Sequence, residues 1–226
     1  MALPITNYGN SAPNPGAAGE AFIPDQLIAG NMKLVTEHVT ITGGAALKRG
    51  TVLGQITNGG ITSANGANTG NGTVGSLSTG TRARSGAYKL TAKSATVFAV
   101  VNPHGVVLPD ATVGVAYVNP ELNFTLTAGG TPFVANDNFT LTIAAGSGLY
   151  KIAAAAAVDG SQNPVAILVA DTDATGGDVG AGIYQMGEFT ASAVTLGAGM
   201  TLAVAKAALR LLGIFLKSGV SAADPT

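Results

Sequence analysis

Short runs of alternating apolar and polar side chains dominate the chain. In residues 34–42, Val39 and Ile41 alternate with threonines, and this period of two among β-branched residues predicts a strand. A glycine pair follows, and residues 48–50 predict a turn before a second strand at 51–56. We interpret this stretch as a hairpin-like pair of strands.

The next alternating runs lie in a tract of different composition. Residues 58–71 are rich in Gly, Asn, Ser and Thr, a composition typical of a loop or linker. Four short half-buried strands are then predicted, at 87–92, 96–101, 121–127 and 138–144. Such a series favours a small antiparallel sandwich or barrel. We call residues 58–147 the insert.

The strand pattern of the first run resumes after the insert. The sequence KIAAAAAV at 151–158 has high helix propensity, but the turn after it and the strand-like run at 165–169 indicate a sheet with small packed alanines. Another alternating run covers 183–189. The outer segments, residues 31–57 and 148–226, therefore predict one discontinuous β-rich domain, and the insert a second domain.

One segment, from Thr201 to Leu212, predicts an α-helix. Thr201 can cap its start, and Gly213 lies just past its end. One face of this helix is apolar and comprises Leu202, Ala205, Leu209 and Leu212. A final short strand is predicted at 214–216.

The first 30 residues predict an extended arm. Prolines recur at positions 4, 13, 15 and 24, and proline fixes φ and removes a backbone donor, which excludes a helix or a central strand. Two interpretations stay open. The arm is either a floppy tail, as is common at termini, or a segment that orders by adding backbone hydrogen bonds to a partner's exposed sheet edge.

Composition narrows the class of function. Charged residues make up 10% of the chain, hydrophobic residues 46%, the net charge is −1 and cysteine is absent. We therefore expect no nucleic-acid binding, which depends on a basic footprint, and no disulfide scaffold or thiolate metal site. A largely neutral surface indicates contact with another protein. No secretory pattern and no membrane-spanning tract is present, so we expect a soluble protein without a membrane partner.

The candidate catalytic motifs are weak. The sequence GNGTVG at 70–75 matches a dinucleotide fingerprint, but a polar loop precedes it and no helix pattern follows. Asp171, Asp173 and Asp178 resemble the start of a calcium loop, yet Gly182 occupies the place of its essential glutamate, which favours an ordinary turn. His38 lies in a predicted strand, where a lone histidine is more often a packed or surface residue than a catalyst. His104 lies in the sequence NPHG, which predicts a turn. We expect no catalytic residue, no metal site and no cofactor.

Four stretches together carry a more specific signal. They are FIPDQLIAG at 22–30, LVTEHVTITGGAALKRGTVLGQIT at 34–57, GLYKIAAAAAVDGSQNPVAILVADTDATGGDVGAGIYQMGEF at 148–189, and LAVAKAALRLLGIFLK at 202–217. In this order they resemble the head decoration proteins of tailed phages, the lambda-type capsid cementing family. In that family the segment like GQIT leads almost directly into one like GLYK. The insert is then an addition at a loop, where extra domains are tolerated.

The resemblance implies a β-clip-like domain that forms a homotrimer at threefold positions on the outside of the expanded capsid. Its partner in the virion would be the major capsid protein, and the trimer would stabilise the shell against the pressure of packaged DNA. Capsid-binding residues would lie in the arm: Pro4, Ile5, Tyr8, Phe22, Ile23, Pro24, Leu27 and Ile28. Trimer contacts would come from one helix face: Leu202, Leu209 and Leu212.

The insert has several possible roles on this hypothesis. It also resembles Ig-like β modules of phage structural proteins, and it would project outward. There it would contact neighbouring trimers, bind a host surface or polysaccharide, or shield the head passively. We favour contact or shielding, because the sequence has no aromatic-rich binding platform. Two other functions stay open for the whole chain. An adhesin-like or tail-associated module would bind a ligand without a capsid, and a β-clip enzyme would require a carboxylate cluster, for which the three aspartates are candidates.

Overall fold

The computed structural model describes residues 26–218, which are mainly β with one helix, as predicted. In chain order the elements are β1 (Val35–Ile41), β2 (Ala46–Leu47), β3 (Val52–Gln55), β4 (Asn58–Asn65), β5 (Thr73–Thr79), β6 (Gly86–Ala92), β7 (Val97–Val101), β8 (Val107–Thr112), β9 (Ala116–Val118), β10 (Leu122–Thr127), β11 (Asn138–Ala145), β12 (Tyr150–Ile152), β13 (Pro164–Leu168), β14 (Thr172–Asp173), β15 (Val179–Thr190), α1 (Leu202–Arg210) and β16 (Ile214–Lys217).

Five strands of the outer segments close on themselves. They are hydrogen-bonded in the order β1, β12, β3, β13 and β15, and β1 pairs in turn with β15. The β1–β15 ladder is antiparallel and extends from Val35 opposite Met186 to Ile41 opposite Val179. Closure of this kind removes the open edges that attract other strands. The sixth strand, β16, pairs in parallel with the end of β15 and forms the edge of the sheet.

The predicted hairpin within residues 34–57 is wrong. β12 lies between β1 and β3, because it pairs in parallel with β1 and antiparallel with β3. Tyr150 lies opposite Gln55, and Ile152 lies opposite Leu53. The hairpin partner of β3 therefore comes from the far side of the insert, and a local pattern cannot report a pairing between segments so distant in sequence.

The alanine-rich run at 151–158 is neither a helix nor a full strand. Lys151 and Ile152 belong to β12, Ala153 is buried, and the next residues form a turn in which Ala157 N donates to Ala154 O at 3.1 Å. Helix propensity has no effect here because tertiary pairing holds the start of the run in the sheet.

The insert contains two antiparallel sheets. β4, β11, β6, β7 and β8 form one in that order, and β5, β10 and β9 form the other. The four strands predicted in the insert correspond to β6, β7, β10 and β11. The predicted linker at 58–71 is wrong in its first half, where β4 pairs with β11 from Asn58 opposite Ala145 to Asn65 opposite Phe139. Its glycines and asparagines are compatible with a strand because β4 is the half-exposed edge of its sheet.

Buried apolar side chains form three clusters in the described part of the chain. The first contains residues of the insert, with Phe98, Phe133 and Phe139 in mutual ring contact at centroid distances of 5.0, 5.8 and 5.9 Å. The second contains residues of the outer segments together with Leu27 and Ile28, and the third contains residues of the outer segments alone. None of the three combines side chains of the insert with side chains of the outer segments.

Backbone hydrogen bonds between the strand pairs β3–β12 and β4–β11 join the insert to the outer segments. Beyond β3 and β12, Ile56 N donates to Leu149 O at 2.9 Å, and Gly148 N donates to Ile56 O at 3.0 Å. Gly146 N then donates to Thr57 O at 2.9 Å, and the β4–β11 pair begins with the next residues. The connection therefore consists of two hydrogen-bonded segments of the same chain, and the insert extends from the tip of the β3–β12 hairpin.

Helix α1 begins as predicted and ends two residues earlier. The Thr201 hydroxyl accepts a hydrogen bond from Val204 N at 3.3 Å, which satisfies one of the unpaired donors of the first turn. Gly213 follows the last turn at a φ of 80°, which side chains rarely adopt. The chain then reverses into β16, so that α1 lies against β16, which pairs with the last four residues of β15.

Candidate interaction surfaces

The base of the arm is fixed to β15. Ala29 N donates to Glu188 O at 2.9 Å, and Thr190 N donates to Leu27 O at 2.8 Å. Leu27 is 4% exposed and packs in an outer cluster, and Ile28 is partly buried against the same cluster. These two predicted capsid-binding residues therefore anchor the arm to its own chain. The other predicted capsid-binding residues lie outside the described part of the chain. They are Pro4, Ile5, Tyr8, Phe22, Ile23 and Pro24.

Glu188 ties three segments together at this base. Its carboxylate forms a salt bridge with Lys217 of β16 at 2.6 Å and accepts backbone hydrogen bonds from Asn31 and Met32. The hydrogen bond from Lys217, with the two backbone donors, keeps the pKa of the Glu188 carboxyl below its usual value despite partial burial. Gly30 lies close to this carboxylate, and a Cβ at this position would require the Glu188 side chain to move.

An open cleft lies between α1 and β16 beside this salt bridge. Its volume is about 460 Å³, and its lining includes Lys206 and Arg210 from the helix, Phe215 and Lys217 from the strand, and Glu188 from β15. Lys206 and Arg210, four residues apart, project from the same side of α1. Among residues 26–218 neither of these two cations has an ion-pair partner. The cleft is therefore cationic.

The predicted subunit-contact face of α1 is only partly accessible. Leu209 is fully buried within its own chain, whereas Leu202 and Leu212 are 37% and 49% exposed. The more exposed apolar side chains lie on the opposite side of the helix, where Val204 is 54% and Leu211 is 87% exposed. Val204, Ala207 or Ala208, and Leu211 are spaced at i, i+3 or i+4, and i+7, which places them on one face. This second apolar face is also present in the sequence. It was not predicted as the contact face, because alanines make the helix apolar on almost every side and the sequence alone does not show which face is buried.

The weak motifs have structural roles. Asp171 forms a salt bridge with Lys48 at 2.8 Å and accepts a hydrogen bond from Arg49 N at 2.8 Å. Asp173 accepts hydrogen bonds from the backbone and hydroxyl of Thr175 at 3.0 and 2.6 Å, the local bonding expected of a turn. Within residues 26–218 no three His, Asp or Glu side chains are placed to hold a metal ion. The GNGTVG motif leads into β5, so its glycines do not open a helix.

The comparison with protein families decides between the candidate functions. A family model described as bacteriophage lambda head decoration protein D matches residues 21–214. The chain belongs to this family. It is a structural protein of the capsid exterior that binds the phage head, and it is not an enzyme. The resemblance identified from the four sequence stretches is thereby confirmed.

Other comparisons add little to the family assignment. No curated protein matches the chain. Two crystal structures of Xanthomonas campestris FlgL match with a TM-score of 0.32 each, at 16% and 15% identity, over 43% and 46% of this chain. The chain spans 33% of the length of those structures, and a similarity this low supports no conclusion. Among the described residues, no helix is long and apolar enough to cross a bilayer.

Proposed function

We propose that this head decoration protein acts as a homotrimeric cement at the threefold positions of the expanded capsid. The observation that carries the proposal is the family match, which spans both outer segments and the insert between them. A trimer that contacts several capsid subunits at once ties them together, since multivalent attachment makes weak single contacts firm. Its summed contacts resist the outward pressure of packaged DNA.

The arm is the proposed capsid contact. Leu27 and Ile28 hold its base against β15, so the partner-binding part is the residues that precede them, with Pro4, Ile5, Tyr8, Phe22, Ile23 and Pro24 as candidates. Prolines in this part favour an extended chain. Such a chain binds by adding backbone hydrogen bonds to a sheet edge of the capsid protein.

The outward apolar face of α1 is the proposed contact with sister subunits. Val204 and Leu211 on this face are supported by their exposure, and Leu202 and Leu212, the exposed ends of the neighbouring predicted contact face, are candidates beside them. Leu209 does not belong to this contact, because it is buried in the core of its own chain. Exposed apolar side chains grouped on one helix face are typical of a surface that another protein covers.

We propose that the insert is a separate domain and that the outer segments form a β-clip-like domain to which it is attached. The support is its own buried cluster and the paired strands that connect it through the tip of the β3–β12 hairpin. A hairpin tip is a site where an added domain leaves the host fold intact. We assign the insert to contact between neighbouring trimers or to shielding of the head.

Sedimentation with empty expanded capsids that lack decoration tests the function. The full chain is expected to pellet with the capsids and to saturate at three copies per threefold site. A chain lacking residues 1–25, which keeps Leu27 and Ile28, is expected to fold and to remain in the supernatant. Failure of the full chain to pellet at any salt concentration would contradict the cement function, and equal binding of the truncated chain would contradict the role of the arm.

A further inference from the structure

The cationic cleft between α1 and β16 has features of a peptide-binding site. It is open to solvent, and it is lined by residues of the strand β16, among them an aromatic ring, and by cationic side chains. Lys217 is already paired with Glu188 at 2.6 Å, so the only carboxylate in the lining is neutralised. Lys206 and Arg210 remain without a carboxylate partner among residues 26–218. The cleft therefore favours an occupant that brings negative charge.

A stabilising effect on the helix explains the position of Arg210 but not the position of Lys206. Arg210 lies in the last turn of α1, where a positive charge offsets the helix dipole. Lys206 lies in the middle of the helix, where this effect has fallen away. Both side chains face the cleft on the same side of α1 as the strand. Their common direction is better explained by a shared anionic partner.

The strand that lines the cleft, β16, has one edge that pairs with no other strand among residues 26–218. Its other edge pairs with β15. Ile214 and Leu216 point into the core, whereas Phe215 and Lys217 are exposed. An extended segment laid along the free edge would gain main-chain hydrogen bonds and an apolar contact with Phe215. Acidic side chains on that segment would reach Lys206 and Arg210.

The location of the cleft indicates which protein supplies this segment. Glu188 lines the cleft, and its carbonyl accepts the hydrogen bond from Ala29 at the base of the arm. The cleft and the departure point of the arm therefore adjoin. If the arm binds the major capsid protein, as proposed above, that protein lies next to the cleft. We propose that the cleft binds an extended acidic segment of the major capsid protein, as a second contact beside the arm.

Charge reversal in the cleft tests this proposal. The double variant Lys206→Glu with Arg210→Glu is expected to bind expanded, undecorated capsids on the order of tenfold or more weakly, because like charges then face one another. Its binding should also depend less steeply on salt. The neutral pair Lys206→Gln with Arg210→Gln, which retains good helix formers, should show a smaller loss in the same direction. Circular dichroism checks that each variant is folded.

A matched control distinguishes the effect of charge in the cleft from the effect of the net charge of the whole chain. The double variant Arg82→Glu with Lys89→Glu makes the same charge change at exposed positions of the insert and should bind like the wild type. If the cleft variants bind as tightly as the wild type, or the control loses as much affinity, the proposal is overturned while the cement function stands. If the wild type itself does not bind, the cement function fails instead.

Photo-crosslinking identifies the occupant directly. A photoreactive phenylalanine analogue at Phe215, in the full chain bound to capsids, should capture a peptide of the major capsid protein that contains several acidic residues. Capture of a capsid peptide without acidic residues would overturn the proposed chemistry. Capture of a sister subunit or of the chain's own terminal residues would overturn the proposed partner.

Discussion

Gly54 in β3 occupies a position where no side chain fits. A Cβ at this residue would overlap the backbone carbonyl of Ser161, which packs across the strand. Ser161 is held by Asp159, whose carboxylate accepts hydrogen bonds from Ser161 N at 3.1 Å and Ser161 Oγ at 2.6 Å and pairs with Lys151. The backbone at Ser161 is therefore fixed and cannot move aside.

We expect Gly54→Ala to destabilise the outer segments by about 1–3 kcal/mol, the usual cost of overpacking a core. Gly60→Ala is the matched control, because Gly60 lies in exposed β4 with no atom within 4 Å of the added Cβ. The control should change the free energy of unfolding by less than about 0.5 kcal/mol. Urea denaturation of both variants measures the difference, and equal stability of the two would contradict the close packing at Ser161.

Asp137 is a buried carboxylate that fixes one end of the insert. It accepts hydrogen bonds from the backbone N–H of Thr69, Gly70 and Val134 at 2.8, 2.9 and 3.0 Å. Burial acts to raise the pKa of this carboxyl, but the three donors favour its charged form and lower the pKa on balance. A lowered pKa in the folded state means that Asp137 stabilises the fold above the ordinary aspartate pKa of about 3.9.

We expect this stabilisation to be lost as the pH falls below about 4 towards the lower pKa of the folded state. Urea denaturation of the wild type and of Asp137→Asn, repeated between neutral and acidic pH, measures it. The wild type should be more stable at neutral pH, and the difference should shrink in acid. Asp178→Asn, which removes an exposed carboxylate, should stay close to the wild type. A difference between wild type and Asp137→Asn that is independent of pH would contradict the assignment.

Among the elements, those with a strong local period could be predicted from sequence. The alternating runs at β1, β6, β7, β10 and β11 and the capped helix α1 all have one apolar face that burial explains. β4 could not be predicted, since an edge strand needs few apolar residues. The placement of β12 between β1 and β3 could not be predicted either, because the partner strands lie far apart in sequence.

The candidate interaction surfaces, like the strands, could be predicted where they depend on a local pattern and could not where they depend on contacts between distant segments. The apolar positions of α1 were visible in the sequence, but which face is free depends on the core against which the helix packs. Leu209 is buried and Leu211 exposed for that reason alone. The spacing of Lys206 and Arg210 predicted two cations on one side of α1. The cleft itself could not be predicted, because Lys217 joins them only when β16 turns back beside α1.

The hairpin formed by β3 and β12 should fold without the insert. Thr57 and Gly146 face each other, with Gly146 N donating to Thr57 O at 2.9 Å. This bond, from the residue after a turn to the carbonyl of the residue before it, is the one that closes a β-turn, whereas Thr57 N donates to Asp159 O at 2.8 Å. We therefore expect residues 58–145 to be replaceable by Asn-Gly, which favours the type I′ turn. The shortened chain should remain folded by circular dichroism and should still pellet with expanded capsids. An unfolded or aggregated product would show that the outer segments depend on the insert.

At the scale of the whole molecule, the outward face of α1 should control assembly. Leu211→Lys should lower the oligomeric mass measured by sedimentation equilibrium from trimer to monomer, because a charge in an apolar contact is costly to desolvate. The thermal stability of the monomer should change little, since Leu211 is 87% exposed. Leu209→Ala is the contrasting variant, and it should destabilise the fold by about 2–5 kcal/mol through the cavity that it leaves. A wild type that is monomeric in solution and on the capsid would contradict the trimer.

The most direct test of the cement function is the temperature at which DNA-filled heads lacking decoration release their DNA. Addition of the full chain should raise that temperature, because the proposed trimer would tie several capsid subunits together against the internal pressure. The chain lacking residues 1–25 should leave the temperature unchanged, and the Leu211→Lys variant should raise it less than the wild type. Saturating binding of the full chain without any rise in the release temperature would contradict the account.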